Sequence, residues 1–467
     1  MTRAALCALL LLAGCMTLPP LPRPEVPVPP QWRSPAVDSE ALADQPWTTL
    51  FDDVLLEDLI REALQYNSDL RIAADRILQA RAQYGIQRSF QFPTISAEAA
   101  YTRQRAPGAS PTTNSTSETA SIGLALPSWE IDFWGRLQSL SEAARSEYLA
   151  TEQAWRQIYI TLIGDVATAY IEVVGLDDQL RIAYRTAESR DKSLSIVWSR
   201  NRGGVASKLD VRQAEGLVAD ARATIADLER QRSQAENALS VLIGRNPQEI
   251  PRTAQPLTKL MERELPAGLP SELLERRPDL IAAEQRLRAA NLNVDAARKA
   301  FLPTISLTAF IGFVSPELRN LIDGNRFGWS AAPAISLPIF TAGRLQAGVD
   351  VAEATQRIAI ESYRQTARNA FRDVDDALVA YWRYREQREQ LQLAVTAGRE
   401  RLRLTNLRYI NGISSYFEVL DAERLLFENE LAYAQATRAT YTAVVQLYRA
   451  LGGGWKEAIA PDEVGAK

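Results

Sequence analysis

The chain contains two copies of one sequence unit. Residues 69–96 align with residues 279–306 at a constant offset of 210, with ten identities in 28 positions, and both windows end in Pro-Thr-Ile-Ser. Further on, residues 135–138, 204–215 and Gly244 return as residues 343–346, 412–423 and Gly452, all at an offset of 208. Because the offset changes by only two residues over half the chain, the repeat indicates a duplicated unit and predicts a fold of two similar halves.

Each half repeats the same order of predicted elements. A helix over about 69–88 or 279–299 ends before a proline, and a hairpin of two strands follows over about 93–129 or 303–340. Polar segments at 106–117 and 315–327 are predicted to be the hairpin loops.

Two long helix pairs are predicted over about 136–244 and 344–452. No proline occurs between Pro127 and Pro247, or between Pro338 and Pro461, and apolar residues recur there at spacings of three and four. Gly204 and Gly412, with the residue before each, are the turn signals inside these regions. The 67 residues of 136–202 correspond to roughly 100 Å of helix. A helix this long exceeds those of ordinary globular domains.

These elements define the predicted domains. The fold class is mixed and mainly α, with long antiparallel helix pairs and four strands per chain. The predicted divisions are a signal peptide at 1–14, a tether at 15–46, repeat 1 at 47–250, a linker at 251–268, repeat 2 at 269–455 and a C-terminal tail at 456–467.

The N-terminus has the pattern of an exported lipoprotein. Arg3 precedes an apolar run at 4–12 that is too short to span a bilayer, and Leu12-Ala13-Gly14 leads to Cys15. We expect Cys15 to become the first mature residue and to carry a covalent lipid; ordinary signal cleavage beside an incidental cysteine is the alternative. Eight prolines between 19 and 35 predict an extended tether. No other stretch approaches about 18 apolar residues, so no transmembrane helix is expected.

Composition argues against catalysis. The chain has no His, Cys7 lies in the signal peptide, and Cys15 is committed to lipid, so the usual general base, metal ligand and thiolate are missing. Phosphate-binding loops, dinucleotide fingerprints and nucleophile elbows are also missing. A Ser-Lys pair or a pair of carboxylates stays formally open. A net charge of −4 with interleaved acids and bases argues against nucleic acid. We therefore expect no enzyme, no cofactor besides the lipid, no metal site and no nucleic-acid partner.

Four strands are too few to cross a membrane alone. Known transmembrane barrels begin at about eight strands, and an open sheet would leave unpaired backbone groups in lipid. If these strands span a membrane, the chain must oligomerise. A dimer, a trimer and a tetramer each satisfy this argument.

The residues resemble the TolC family of outer-membrane channel proteins, and more narrowly its OprM-like (NodT) lipoprotein branch, the outer-membrane factors of tripartite multidrug efflux pumps. The resemblance covers about 47–455 and rests on the lipobox at Cys15, the doubled plan, the Pro-Thr-Ile-Ser and Gly-Arg-Leu-Gln motifs, and the closing 451–455. It implies a homotrimer with a twelve-stranded transmembrane β-barrel above a periplasmic tunnel of twelve helices. The implied partners are a periplasmic adaptor (membrane fusion) protein, an inner-membrane resistance-nodulation-division (RND) transporter and outer-membrane lipid.

Candidate gate residues lie after the second helix turn. Glu418 and Asp421 stand three apart and share one helix face, and the resemblance implies that they form two acidic rings at the closed periplasmic end. The alternative is that they are solvated acids favoured by a helix N-terminus. Asp210 aligns with Glu418 in the first copy and is a candidate for the same tip.

The resemblance also implies gate contacts at Tyr409, Phe417 and Arg424, with Phe417 as a bulky constriction. Ser414 stands where the prototype of the family has an Arg in its closing network, which favours apolar closure over an identical ionic latch. An interfacial aromatic belt is expected from Trp129, Phe133, Trp134, Trp329 and Phe340. Packing at the junction of barrel and helices is the alternative for Phe133, Trp134 and Phe340.

Three functions are compatible with these features. The leading one is passive conduction of drugs or other small molecules by the outer-membrane duct of an efflux pump. An outer-membrane duct for type I protein secretion or for metal efflux is the first alternative, and a structural coiled-coil lipoprotein is the second.

Overall fold

The computed structural model describes residues 22–33, 46–51, 53–107, 114–252 and 270–453. Cys15, the predicted signal peptide, most of the predicted linker and the predicted C-terminal tail lie outside these residues. The main elements are, in chain order, α1 (Val54–Tyr66), α2 (Ser68–Ser89), β1 (Ser96–Pro107), β2 (Asn114–Ile131), α3 (Arg136–Arg202), α4 (Lys208–Leu242), α5 (Pro278–Lys299), β3 (Thr304–Ser315), β4 (Phe327–Ser336), α6 (Arg344–Ile410) and α7 (Tyr416–Ala450).

The long helices have identical lengths in the two copies. α3 and α6 each have 67 residues, and α4 and α7 each have 35. The predicted helix pairs are therefore confirmed, as are the shorter helices α2 and α5. Six glycines with left-handed backbone form three pairs at the offset of 208, namely 135 with 343, 204 with 412, and 244 with 452. The repeat in the sequence is thus also a repeat in backbone conformation.

Helix α1 was not predicted. Asp53 caps it, since one carboxylate oxygen accepts from the backbone N–H groups of Leu55 and Leu56 at 2.9 and 3.4 Å. The other oxygen accepts the Tyr170 hydroxyl at 2.7 Å, which joins α1 to α3.

The four strands form one antiparallel sheet in the order β1-β2-β3-β4. Successive side chains point to opposite faces of a strand, so the register sorts the residues into two sets. One face is apolar throughout its middle rows and carries Ala97, Ala99, Ile122, Leu124, Leu126, Leu307, Ala309, Ile311, Phe313, Phe327, Trp329, Ala331 and Ile335. The opposite face is mainly small or polar and carries Ser96, Glu98, Ser121, Gly123, Ser306, Thr308, Gly312, Ser330 and Ser336.

The apolar face is uncovered in the single chain. Trp329 is 76% exposed and Ile335 is 73% exposed. This pattern of apolar residues on one face and polar or small residues on the other is the alternation of transmembrane barrel strands.

The predicted loop at 106–117 is too long. β1 extends to Pro107 and β2 begins at Asn114. Arg103 lies opposite Glu118, and their side chains form an ion pair at 3.2 Å. Polar residues here belong to paired strands, because polarity marks contact with water and does not by itself mark a chain reversal. The predicted loop at 315–327 agrees with the end of β3 and the start of β4.

The chain divides into two compact units that do not coincide with the repeats. One unit consists mainly of Arg76–Glu152 and Ala282–Arg364 and contains the sheet. The other consists of Val26–Asp75, Gln153–Ile281 and Gln365–Lys467 and contains most of the long helices. Each unit therefore takes one part from each copy of the sequence repeat.

Part of the predicted tether is attached to the folded chain. Arg23 pairs with Glu284 at 2.5 Å, and Trp32, which is 7% exposed, lies 6.5 Å from the ring of Phe371. The segment 22–33 has no regular secondary structure, as its prolines predict.

One long helix is apolar enough, by length and composition alone, to cross a membrane, although no transmembrane helix was expected. Among the described residues, Arg136–Arg202 contains a window of 18 residues with a mean hydropathy of 1.5. However, 67% of this window is buried inside the chain. Core packing explains such an apolar window, so the helix is only weak evidence for a membrane span.

Candidate functional site at the helix turns

The two turns between the long helices have the same backbone geometry. Gly204 and Gly412 have φ of +76° and +73°, and the next residue after each donates its N–H to the carbonyl of Arg200 or Arg408 at 2.9 Å. These are Schellman turns, in which a left-handed glycine closes the last helical turn. The predicted turns at Gly204 and Gly412 are therefore present.

The first copy continues from its turn with a capping box. The Ser207 hydroxyl accepts from the Asp210 N–H at 3.1 Å, and the Asp210 carboxylate accepts from the Ser207 N–H at 2.9 Å. This reciprocal pair satisfies two donors at the start of α4. Asp210 therefore has a local structural role in addition to its predicted position at the tip.

The second copy lacks this arrangement. The Ser415 side chain makes no cap hydrogen bond. Glu418, which aligns with Asp210, lies 3.5 Å from the Arg408 guanidinium. The same position is thus a capping residue before α4 and an ion-paired residue at the start of α7.

Asp421 is paired with two arginines. Arg401 of α6 lies 2.6 Å away and Arg424, on the next turn of α7, lies 3.2 Å away. Hydrogen bonds from Arg401, and then from Arg424, hold the pKa of Asp421 below its usual range. Both predicted ring acids therefore have cationic partners within their own chain. Their assembly into rings stays a prediction.

A buried cluster ties the two turns together. Val197, Val211, Ala214, Tyr409, Tyr416 and Val419 pack as one hydrophobic core that draws on α3, α4, α6 and α7. The rings of Tyr409 and Tyr416 lie 5.3 Å apart, and the Arg200 guanidinium lies 4.6 Å from the centre of the Tyr409 ring. The Tyr409 hydroxyl is buried without a hydrogen-bond partner.

The predicted gate contacts have different surroundings. Tyr409 lies inside this cluster and is 7% exposed, whereas Phe417 is 62% exposed. Arg424 binds Asp421 and, at 3.2 Å, Glu428. In the single chain the Phe417 side chain is thus free to contact another protein surface, whereas the Tyr409 ring is already packed inside the buried cluster.

Sequence reasoning missed two buried carboxylates below the tip. Glu423 is 5% exposed; one oxygen accepts the Ser193 hydroxyl at 2.7 Å and the other has no partner. Burial raises the pKa of Glu423, against smaller opposing effects of Ser193 and Arg190. Glu430 binds Arg185 at 2.6 Å and Arg399 at 2.8 Å. A seven-residue spacing, which places both acids on one face of α7, was the available sequence signal.

Aromatic residues predicted to form a belt fall into two groups. The Trp134 indole N–H donates to the Pro303 carbonyl at 2.7 Å, and the Trp129 indole N–H donates to the Gln91 carbonyl at 3.3 Å. Trp329 and Phe340 are 76% and 89% exposed. Trp129 and Trp134 are therefore held by hydrogen bonds within the chain, whereas Trp329 and Phe340 are as exposed as lipid-facing residues must be.

The chain has a sheet with one exposed apolar face, and this sheet is joined in sequence to long paired helices. This combination is typical of outer-membrane channel proteins that have both barrel strands and long helices. The model of the family described as "Outer membrane efflux protein" matches residues 59–245 and 269–453, once in each repeat.

Proteins and structures across bacteria are similar over nearly the whole chain. Outer membrane protein OprJ of Pseudomonas aeruginosa is 40% identical over 461 residues, covering 97% of this chain and 96% of the relative. The cation efflux system protein CusC of Escherichia coli is 37% identical over 457 residues, covering 97% and 98%. The open-state crystal structure of the MtrE outer membrane channel of Neisseria gonorrhoeae has a TM-score of 0.86 at 36% identity, covering 94% and 99%.

The chain belongs to the outer membrane efflux protein family, and it is an outer-membrane efflux channel. The predicted family, fold class and location are confirmed. The family is one of efflux channels, which favours the predicted efflux duct over a structural coiled-coil lipoprotein.

Proposed function

We propose that the protein is a homotrimer whose twelve strands close a barrel in the outer membrane, forming the exit duct of a tripartite efflux pump. The observation that carries this proposal is the sheet, because one face is apolar and exposed while β1 and β4, among the described strands, are each paired on one side only. Such edges are not tolerated in hydrocarbon, and further copies of the same sheet supply the missing partners.

Exposed apolar residues at both turns support docking of another protein there. Val205 and Leu209 are 69% and 66% exposed, and their equivalents at the offset of 208, Ile413 and Phe417, are 67% and 62% exposed. Because exposed apolar side chains recur at the end of both helix pairs, covering them with a protein partner would be more favourable than leaving them in water. We assign this surface to the periplasmic adaptor, which would link the duct to an inner-membrane RND transporter that supplies the energy.

We also propose that Cys15 carries a lipid inserted in the outer membrane. The lipobox residues 12–15 support this assignment. A Cys15→Ala variant should lose incorporation of labelled palmitate and the corresponding lipid mass. Retention of label in that variant would place the lipid elsewhere.

The cargo is proposed to be drugs or other small organic molecules. Metal efflux is the second candidate, since one relative is a cation efflux system protein, and a duct need not coordinate what it conducts. Among the described residues no group of three or more acidic, His or Cys side chains is placed to hold a metal ion.

Deletion of the gene tests the function. The strain should become more susceptible to a panel of antibiotics, dyes and solvents, and the intact gene should restore resistance. Increased susceptibility to copper or silver salts alone would favour metal efflux, and loss of an exported protein without drug susceptibility would favour type I secretion.

A further inference from the structure

The hairpin of β1 and β2 continues beyond the other two strands. β3 ends at Ser315, which lies opposite Ala120, and the residues of β2 before Ala120 pair only with β1. This extension consists of residues 102–107 and 114–119, and it lies at the hairpin end of the sheet, away from the ends that lead to the helices. The long helices are periplasmic, so the extension lies on the cell-surface side of the membrane.

The charged residues of this extension all lie on one face. The strand register puts Arg103, Arg105 and Glu118 on the same face as the exposed apolar residues of the sheet. The opposite face carries uncharged side chains in the same rows, namely Thr102, Gln104, Ser117 and Thr119. A hairpin with water on both sides gives no physical reason for this segregation. The two faces therefore meet different surroundings.

The two arginines begin where the apolar band ends. On β3 the apolar side chains of this face run from Ile305 to Phe313, nine residues, which is the length of strand needed to cross the hydrocarbon. The next row contains Tyr101, which is 49% exposed and is of the type enriched at membrane interfaces. Arg103 and Arg105 follow about 7 and 13 Å farther along the strand. Their guanidinium groups are therefore at the level of the lipid headgroups.

Both arginines are accessible to a ligand. The Arg103 side chain is 66% exposed and pairs with Glu118 at 3.2 Å. Arg105 is exposed, lies opposite Thr116, and forms no ion pair with the residues that the structure describes. Two positive charges against one negative charge leave an excess of one positive charge on this face of each copy.

We propose that Arg103 and Arg105 bind a phosphate group of an anionic lipid in the outer leaflet of the outer membrane. Guanidinium groups bind phosphate oxygens through two parallel N–H···O bonds, and basic residues at a membrane surface attract anionic headgroups. The acyl chains of the same lipid lie against the apolar rows that end at Phe313 and Phe327, whose rings are 5.6 Å apart. The site rests on the proposed barrel, and it adds the class of lipid and the residues that bind it.

Native mass spectrometry of the full-length protein in detergent tests the site. The probes are diphosphorylated lipid A, a phosphate-free form of the same lipid, and inorganic phosphate, and the ratio of bound to free particles gives each Kd. Arg103→Gln with Arg105→Gln removes both cations. Arg319→Gln with Arg326→Gln is the matched control, because it removes two arginines from the segment between β3 and β4 at the same end of the sheet.

The expected result is a loss of affinity specific to the phosphorylated lipid. The Kd of the diphosphorylated lipid should rise at least about tenfold in the double variant, since a hydrogen bond to a charged group contributes about this factor or more. The control variant should bind like the wild type, and the phosphate-free lipid should bind the wild type and the double variant equally. Glu118→Gln should bind the diphosphorylated lipid more tightly, because it removes the one negative charge beside the site.

Three results would overturn the site. These are equal binding by the wild type and the double variant, an equal loss in the control variant, and binding of inorganic phosphate as tight as that of the lipid, which would assign the arginines to a free anion.

The same spectra count the chains in each particle. A particle of three chains whose lipid binding does not depend on the two arginines would overturn the site and leave the proposed trimer standing. A particle of one chain that still loses the phosphorylated lipid in the double variant would overturn the assembly and support the site.

Discussion

Glu430 forms ion pairs with residues of two other helices and so connects three helices near the turns. It lies on α7 with a side chain that is 7% exposed, between Arg185 of α3 and Arg399 of α6, which are each 57% exposed. The cations can therefore reach water if the acid is removed, whereas the acid cannot if the cations are removed.

This asymmetry sets the expected magnitudes. Replacing both arginines by Ala leaves a buried carboxylate without a cation, which costs about 3–5 kcal/mol per chain. Glu430→Gln keeps the shape and removes the buried charge, so its cost is about 1–2 kcal/mol. Combining all three changes should recover most of the loss in the double-arginine variant. Glu428→Gln, on the exposed pair with Arg424, is the control and should cost less than about 0.5 kcal/mol.

Denaturant unfolding of the purified full-length protein in detergent, followed by helical circular dichroism, measures these differences. The midpoint should fall most for Arg185→Ala with Arg399→Ala, and clearly less for Glu430→Gln. If Glu430→Gln is as damaging as the double variant, or if the combined variant shows no recovery, the reasoning from buried charge is wrong.

Further predictions concern the turns and the acids around them. Burial raises the pKa of Glu423 above its ordinary 4.5, so its protonation stabilises the fold fully below pH 4.5, and this contribution is lost as the pH rises through the raised value. Between pH 4.5 and the raised value, the unfolding midpoint of the wild type should therefore fall more steeply than that of Glu423→Gln, and equal slopes would contradict this. Glu418→Ala with Asp421→Ala should change single-channel conductance and reduce cation preference if the predicted acidic rings exist, while unchanged values would remove them. Because the pKa of Asp421 is lowered from 3.8, its contribution is present above pH 3.8 and lost only as the pH falls through the lowered value, so the effect of Asp421→Asn should be the same at pH 5 and pH 8; an effect that disappears at pH 5 would show that Asp421 is not held by its arginines. Gly204→Ala and Gly412→Ala should each destabilise by about 1 kcal/mol through the left-handed backbone alone, since nothing lies within 4 Å of an added Cβ at either site, whereas Gly216→Ala inside α4 should stabilise; unequal effects of the first two would reveal contacts outside the single chain.

Features set by local sequence were predicted well. The long helices follow from regions without proline and from Gly204 and Gly412, because backbone restrictions act within a few residues. The hairpins were found for the same reason, although residues 106–107 and 114–117, which belong to β1 and β2, were misread as parts of a loop. Pairing of β2 with β3 was not predicted, since nothing local specifies a contact between strands almost two hundred residues apart.

The buried charges were missed for a related reason. Glu423 and Glu430 look like exposed helix acids in the sequence, because Glu is rarely buried without a partner. Their partners Ser193 and Arg185 lie 230 and 245 residues away. Only the packing of α3 against α7 brings these groups together. The sequence repeat does not indicate that Glu423 and Glu430 are buried, because their equivalents on α4 are Glu215 and Arg222.

The central claim is that three copies of this chain close one duct. Single-particle electron microscopy of the full-length protein in lipid nanodiscs tests it most directly. The account predicts a closed barrel of twelve strands, four from each of three copies. An open sheet, or a closed barrel built from any other number of copies, would contradict it.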